Sequence, residues 1–361
     1  MTRPGVEFGM SYRIPAVPVS LPLASHPDFE RLEPDLCAWL RPYLTSYFGE
    51  SDDCAPRPDG VLKQRYPEWG AMIYPHCHSE RFFAIEAVTF LLALVDDAFA
   101  APMIQNDIAA RVTLLERLNR VIDDAVQPVS PLERLVAAGQ KLVSKHPPVS
   151  VQRRLTDHVK EVFKSTAAES TESSAVFKDM DSYLVYRRVN VFGLYCLTLT
   201  EWGLGFDLQE HVHGDRDLAA ARDLVINHWI LVNDIYSFPK EIESGEKVNG
   251  VWIVMDRQGL SLQAALDRLA ELAVETETRF IAIRDRILAG PLGHHPHIPG
   301  YLRELSHSIP GNLHYHRKSS RYHRFTRILP NTDAGTATPE HTVLYRRGTA
   351  HEPAWLSGFQ H

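Results

Sequence analysis

Cysteine is scarce in this sequence: Cys37, Cys54, Cys77 and Cys196 stand far apart, with no CxxC pair among them. That spacing suggests neither a disulfide framework nor a zinc ribbon and fits a reducing compartment. Long apolar runs are missing too. The longest, Ala87 to Val95, is half of a bilayer span, and the N-terminus lacks the basic-then-apolar pattern of a signal peptide. A soluble, cytoplasmic protein without a membrane span is expected. No basic run of the kind that reads phosphate backbones occurs, and the formal net charge of −7 with a pI near 6.2 argues against nucleic acid. The expected partner is a small molecule. Neither an internal repeat nor a β-alternating stretch long enough to build a sheet is present.

What is present is enough apolar sequence for one large core, with 44% of the 361 residues hydrophobic and 23% charged. Residues 1–30 are rich in proline and read as an extended segment, and 327–361 loses helical periodicity and reads as a polar tail. Between them, 31–326 reads as a single domain. "SERFFAIEAVTFLLALVDDAFA", from Ser79, is a helix apolar almost all round, as a buried helix is. Further helices are expected over 107–126, 131–145, 151–169, 178–203, 215–243, 261–288 and 298–323, punctuated by Pro and Gly. The fold class is therefore all-α, a helical bundle.

Polar residues interrupt that scaffold in a pattern. In "NDIYSFPKE", Asn233, Ser237 and Glu241 lie four positions apart, so they fan out from one helix face at about 40° per step. All three offer oxygen, the ligand of hard divalent cations such as Mg²⁺. A solvated helix face would show the same spacing. Asp96 and Asp97, however, end the apolar helix, where paired carboxylates imply a metal or another cation. Arg187 and Arg188 in "YLVYRRVNVFG", and Arg321 with Tyr322 in "KSSRYHRF", supply donors suited to phosphate, although each arginine alone also reads as a snorkelling surface side chain. His76, Cys77 and His78 in "YPHCHSE" lack the matched second pair of a zinc site, and a surface or capping role is expected.

Taken together, "DDAFA", an arginine 46 positions before Asn233, "NDIYSFPKE" and "SSRY" resemble class I terpene synthases of the microbial type in order and spacing, over roughly residues 60 to 325. "NDIYSFPKE" satisfies the family's (N/D)Dxx(S/T)xxxE pattern completely. The resemblance implies an all-α cyclase fold around a central apolar cavity, in which three Mg²⁺ ions bind the diphosphate of a prenyl substrate. It implies that Asp96 is a metal ligand with Asp97 behind it, and that Asn233, Ser237 and Glu241 hold a further ion. Arg187 matches the diphosphate sensor, with Lys240, Arg321 and Tyr322 as further donors. Asn190 and Val191 fall where the family has a helix break, although no glycine occurs before Gly193.

Two departures stand out. The third acid of the family's DDxxD or DDxxE motif is replaced by Ala100, and the aromatic of its "GNLxW" element is Tyr315. The implied reaction is ionisation and cyclisation of a prenyl diphosphate, with farnesyl diphosphate favoured. Phe83, Phe90, Phe99, Phe192, Trp229 and Tyr315 are candidate aromatic faces for the carbocation, each also readable as core packing. A chain-elongating prenyltransferase would need a second aspartate-rich motif. A non-catalytic prenyl-diphosphate-binding protein is the other alternative. A monomer or a homodimer is expected.

Overall fold

The computed structural model describes residues 6, 10–48, 57–101, 104, 107–146, 148–169, 176–244, 246, 248–323, 326–328 and 341–344. After strand β1 (Ser11–Arg13), an extended segment leads into helices α1 (Phe29–Phe48), α2 (Arg57–Leu62), α3 (Tyr66–Ile73) and α4 (Ser79–Phe99). Then follow α5 (Ile108–Ile122), α6 (Pro131–Val143), α7 (Val149–Glu169), α8 (Met180–Asn190), α9 (Gly193–Leu204) and α10 (Gln209–Gly214). The chain continues through α11 (Arg216–Ser244), α12 (Gly250–Gln258), α13 (Leu262–Ala289), α14 (Ile298–Lys318) and α15 (Ser320–His323) to strands β2 (Thr326–Ile328) and β3 (His341–Leu344). The architecture is all-α, and among the described residues no helix is long and apolar enough to cross a membrane.

Local chemistry explains the ends of these helices. Ser130 caps α6 and Asp179 caps α8, each as half of a capping box, so orphan backbone donors in the first turn are satisfied by side chains. Asn249 caps α12 by accepting from the Val251 amide. Packing does the rest. Most of α4 is buried, α11 lies along α13, and α3 lies along α14, which leaves α4 and α11 as the central helices.

The expected helix over 178–203 is broken into α8 and α9. Val191 caps α8, and Phe192 takes a left-handed conformation, φ 62°, before α9 begins at Gly193. A side chain in that region costs about 1–2 kcal/mol, so the surrounding packing must hold it there. Gly193 shows how tight that packing is: a Cβ there would lie 2.4 Å from Ile226 Cγ2 on α11 and 2.9 Å from the Arg188 carbonyl oxygen.

The sequence shows no β-alternating stretch long enough to build a sheet, and the described residues include three short strands. β3 pairs antiparallel with both β1 and β2, with Ser11 opposite Val343 and Thr326 opposite Leu344. Strands of three or four residues are too short for alternation to register. The boundary expected at 326/327 falls inside β2. The segment after β1 is pinned to the bundle where the amides of Ser20 and Leu21 donate to Glu277 and where His26 stacks on Phe82 at 3.9 Å.

Gly193→Ala is expected to lower the unfolding free energy by about 1–3 kcal/mol in urea titration. Gly60→Ala, where no atom lies within 4 Å, is the control. Equal stability of the two variants would contradict the close approach at the helix break.

Candidate active site

One cavity of about 140 Å³ joins the central helices. From α4 it is lined by Thr89, Leu92, Ala93 and Asp96, positions that share one helix face; from α11 by Trp229, Asn233, Ser237, Lys240 and Glu241. Tyr66 and Trp69 of α3, and Asn312, Tyr315 and His316 of α14, close another side with Arg321 and Tyr322 of α15. The break between α8 and α9 contributes Arg187, Asn190, Val191 and Phe192, with Cys196 beyond it. Glu246 completes the polar end.

Charge is concentrated at that end. Lys240 Nζ lies 3.9 Å from Asp96, 3.5 Å from Asp97 and 3.9 Å from Glu246. Arg321 grips Asp97 through paired hydrogen bonds of 2.8 and 3.0 Å and stands 3.7 Å from Asp96. Burial raises the Asp96 carboxyl, opposed by Lys240. Across the cavity, burial and the neighbouring Glu246 push the Glu241 carboxyl up to about 8, against the pull of Arg187, whose guanidinium is 4.0 Å away. Asn249 donates to Glu241 at 2.8 Å and to the Asp234 carbonyl at 3.1 Å, so the cap of α12 also fixes the last acid of α11. Asp234 itself points away from the cavity to Tyr183 Oη at 2.6 Å and the Gly250 amide at 2.9 Å, and burial raises its carboxyl to about 6.

The donor set fits a hard divalent cation. Asp96, Asn233, Ser237 and Glu241 all present oxygen, and the buried Ser237 hydroxyl lies beside Glu241 without a hydrogen bond of good geometry. Among the described residues no group of three or more His, Cys, Asp and Glu side chains could hold a metal by itself. A cation here would depend on the amide and hydroxyl oxygens and on its own bound anion, which suits Mg²⁺ better than zinc.

Most of the sequence-derived residues line this cavity; Asp97, Phe83, Phe90 and Phe99 do not. Phe83 packs edge-on against Trp39 at 5.9 Å, Phe90 edge-on against Tyr66 at 5.8 Å, and Phe99 is buried in the last turn of α4. Phe90 and Phe99 are core side chains, and Phe83 is half-buried at the edge of the core. The cavity face of α4 is the stripe of Thr89, Ala93 and Asp96, and residues one position on from it, such as Phe90 and Asp97, turn towards α3 and α15. Arg187 faces the cavity and bonds Asn190, whereas the adjacent Arg188 pairs with Asp223 at 2.6 Å and Asn227 at 2.9 Å. His76 bonds Glu304 at 2.5 Å and His78 bonds the Leu204 carbonyl, so the two histidines diverge.

Several cavity residues escaped the sequence reading: Tyr66, Trp69, Thr89, Cys196, Asn312 and His316. Asn312 and His316 sit four apart in "GNLHYH", the same spacing as the α11 oxygens, and that signal was available.

The raised Glu241 carboxyl has a definite sign. Its contribution to stability is complete below about pH 4.5 and is lost as pH rises towards about 8, because folding then forces a buried group to ionise. With magnesium chelated, Glu241→Gln is expected to gain on the natural protein by on the order of a few kcal/mol between about pH 5 and pH 8 in urea titrations. A stability difference independent of pH would contradict a proton-holding carboxyl.

The model of terpene synthase family 2, C-terminal metal binding, matches residues 87–279. Microbial Terpene synthase-like protein 13 of Selaginella moellendorffii is 27% identical over 329 residues, covering 89% of this chain and 90% of that one. Sesquiterpene synthase 6 of Postia placenta is 32% identical over 177 residues, 48% of this chain and 51% of that one. The crystal structure of germacradien-4-ol synthase from Streptomyces citricolor superposes with a TM-score of 0.71 at 18% identity, covering 84% of this chain and 98% of that chain. The chain belongs to terpene synthase family 2, the class I enzymes of microbial type, which are lyases acting on prenyl diphosphates.

Proposed function

We propose that the chain ionises farnesyl diphosphate with Mg²⁺ as cofactor and cyclises the resulting cation to a sesquiterpene, releasing diphosphate. The observation that carries this reading is that Asp96 of α4 and the Asn233, Ser237 and Glu241 oxygens of α11 line one cavity, with Arg187, Lys240, Arg321 and Tyr322 at the same end. When bound, Mg²⁺ supplies positive charge beside the departing diphosphate; Asp96 would hold ions on one side and the α11 oxygens a further ion on the other, with three ions implied by the family.

The cations of the chain are placed to exchange partners. Lys240 and Arg321 lean on Asp96 and Asp97, and Arg187 on Asn190. A diphosphate offers each of them a stronger acceptor, and arginine meets it with two parallel hydrogen bonds. The cavity, at about 140 Å³, is smaller than the ~300 Å³ or more of usual ligand pockets, so on this reading it has to widen. Side chains must move apart as the substrate enters, and these three have a destination.

Below the polar end the wall is apolar and aromatic, with Leu92, Phe192, Tyr66, Trp69, Trp229 and Tyr315. Each aromatic face can attract a carbocation by roughly 0.5–2 kcal/mol, and the same wall keeps water from quenching it. The seven helical steps from Thr89 to Asp96 set a depth of about 10 Å along α4, shorter than an extended fifteen-carbon chain, so the tail must fold. The name of the Postia placenta relative points to the same chain length.

Incubation of the protein with farnesyl diphosphate and Mg²⁺, followed by gas chromatography of the organic extract, is expected to yield a hydrocarbon or terpene alcohol. A longer diphosphate, or no product, would contradict the proposal. Asn233→Ala and Glu241→Ala are each expected to reduce product formation by at least about 100-fold, and Ala100→Asp to leave it of the same order. Full activity in Asn233→Ala would remove the metal assignment.

A further inference from the structure

We infer that His316 is a positioning residue that fixes which end of the Asn233 side-chain amide faces the cavity, and thereby sets the affinity of the α11 site for a divalent cation. This rests on the metal role proposed for Asn233. An asparagine can ligate a hard cation only through Oδ1, and its two ends are nearly equal in size, so something must select the orientation.

The selection can be read from one chain of hydrogen bonds. His316 Nδ1 lies 2.7 Å from the Asn312 carbonyl oxygen, which can only accept, so Nδ1 carries the ring proton. On a ring with a single proton, Nε2 is then an acceptor, and it lies 3.1 Å from Asn233 Nδ2. The second proton of Nδ2 is directed at Tyr322 Oη, 3.5 Å away. With both amide protons committed, Oδ1 is the end left for a cation. A flipped amide would set Oδ1 against the Nε2 lone pair.

The ring itself is held in place. It stacks on Tyr322 with centroids 4.4 Å apart and planes 22° from parallel, and only 3% of His316 is exposed. Asn312, whose carbonyl fixes the tautomer, is tied by its own side chain to Trp69 Nε1 at 2.9 Å and to the Trp229 carbonyl at 3.5 Å. The orientation of one ligand is therefore referred back to the aromatic wall of the cavity. Groups that orient metal ligands in this way generally change metal affinity by about 10–100-fold when removed.

The test is the thermal unfolding temperature of the full chain, with inorganic diphosphate present and Mg²⁺ titrated. His316→Phe keeps the stacked ring and removes both nitrogens; it is expected to raise the Mg²⁺ concentration giving the half-maximal gain by about 10-fold. His316→Gln, which keeps an amide oxygen as an acceptor, should lie closer to the natural protein and serves if the first variant folds poorly. In an Asn233→Asp background there is no orientation to select, because both ends of the side chain are oxygen and the one facing Nε2 is met by a second ring proton on His316. There His316→Phe is expected to shift the midpoint by less than about 2-fold.

An equal shift in both backgrounds would show that His316 acts by packing alone and would overturn the inference, as would no shift in the natural background. Loss of the Mg²⁺ response in Asn233→Asp by itself would overturn it too, since a carboxylate needs no orienting. Failure of the natural protein to respond to Mg²⁺ and diphosphate would instead strike at the metal role of Asn233.

Discussion

The structure turns on carboxylates that face one another across a poorly solvated cavity. Asp96 arrives on α4 with Asp97 turned towards α15 behind it, Glu241 arrives on α11 and Glu246 just beyond it, and like charges brought so close need cations among them. Lys240 and Arg321 supply part of that charge and so connect α4 to α11 and α15. The raised Glu241 carboxyl shows that the balance is incomplete. The interactions that hold the polar end together are thus the ones a magnesium diphosphate would replace.

The helix break follows from the same geometry. A continuous helix over α8 and α9 would carry Arg187 and the aromatic wall past the cavity on a rigid rod. Ending α8 at Asn190 and turning at Phe192 places Val191 and Phe192 in the wall within five residues of Arg187. The left-handed Phe192 is tolerated because Gly193 lets α11 approach. Strain kept in place by packing beside a functional residue is the expected form of such a bend.

Much of this was legible in the sequence, and the limits are physical. The oxygens of α11 could be read because a spacing of four puts residues on one helix face whatever surrounds it. The aromatics of α4 could not be assigned, because a helix apolar on every side has no stripe to reveal its rotation; Phe90 and Phe99 turn into the core and Phe83 packs half-buried on Trp39, while Thr89 and Leu92 line the cavity. The short helices that the expected ranges leave out, α2, α3, α10 and α12, are too short for periodicity to register. The roles of Asn249 and His316 depend on contacts that form only once the helices pack. The Ala100 substitution was visible, and the structure gives its context: the residue caps α4, four positions beyond Asp96.

The central claim is that two helices present oxygen to separate ions that share one bound diphosphate. A crystal structure of the protein with Mn²⁺ and inorganic diphosphate, with metal positions located by anomalous scattering, tests it most directly. Ions bridging Asp96 and the diphosphate on one side, and Asn233, Ser237 and Glu241 on the other, are the expected result. Diphosphate bound without metal, or ions seated away from this cavity, would contradict it.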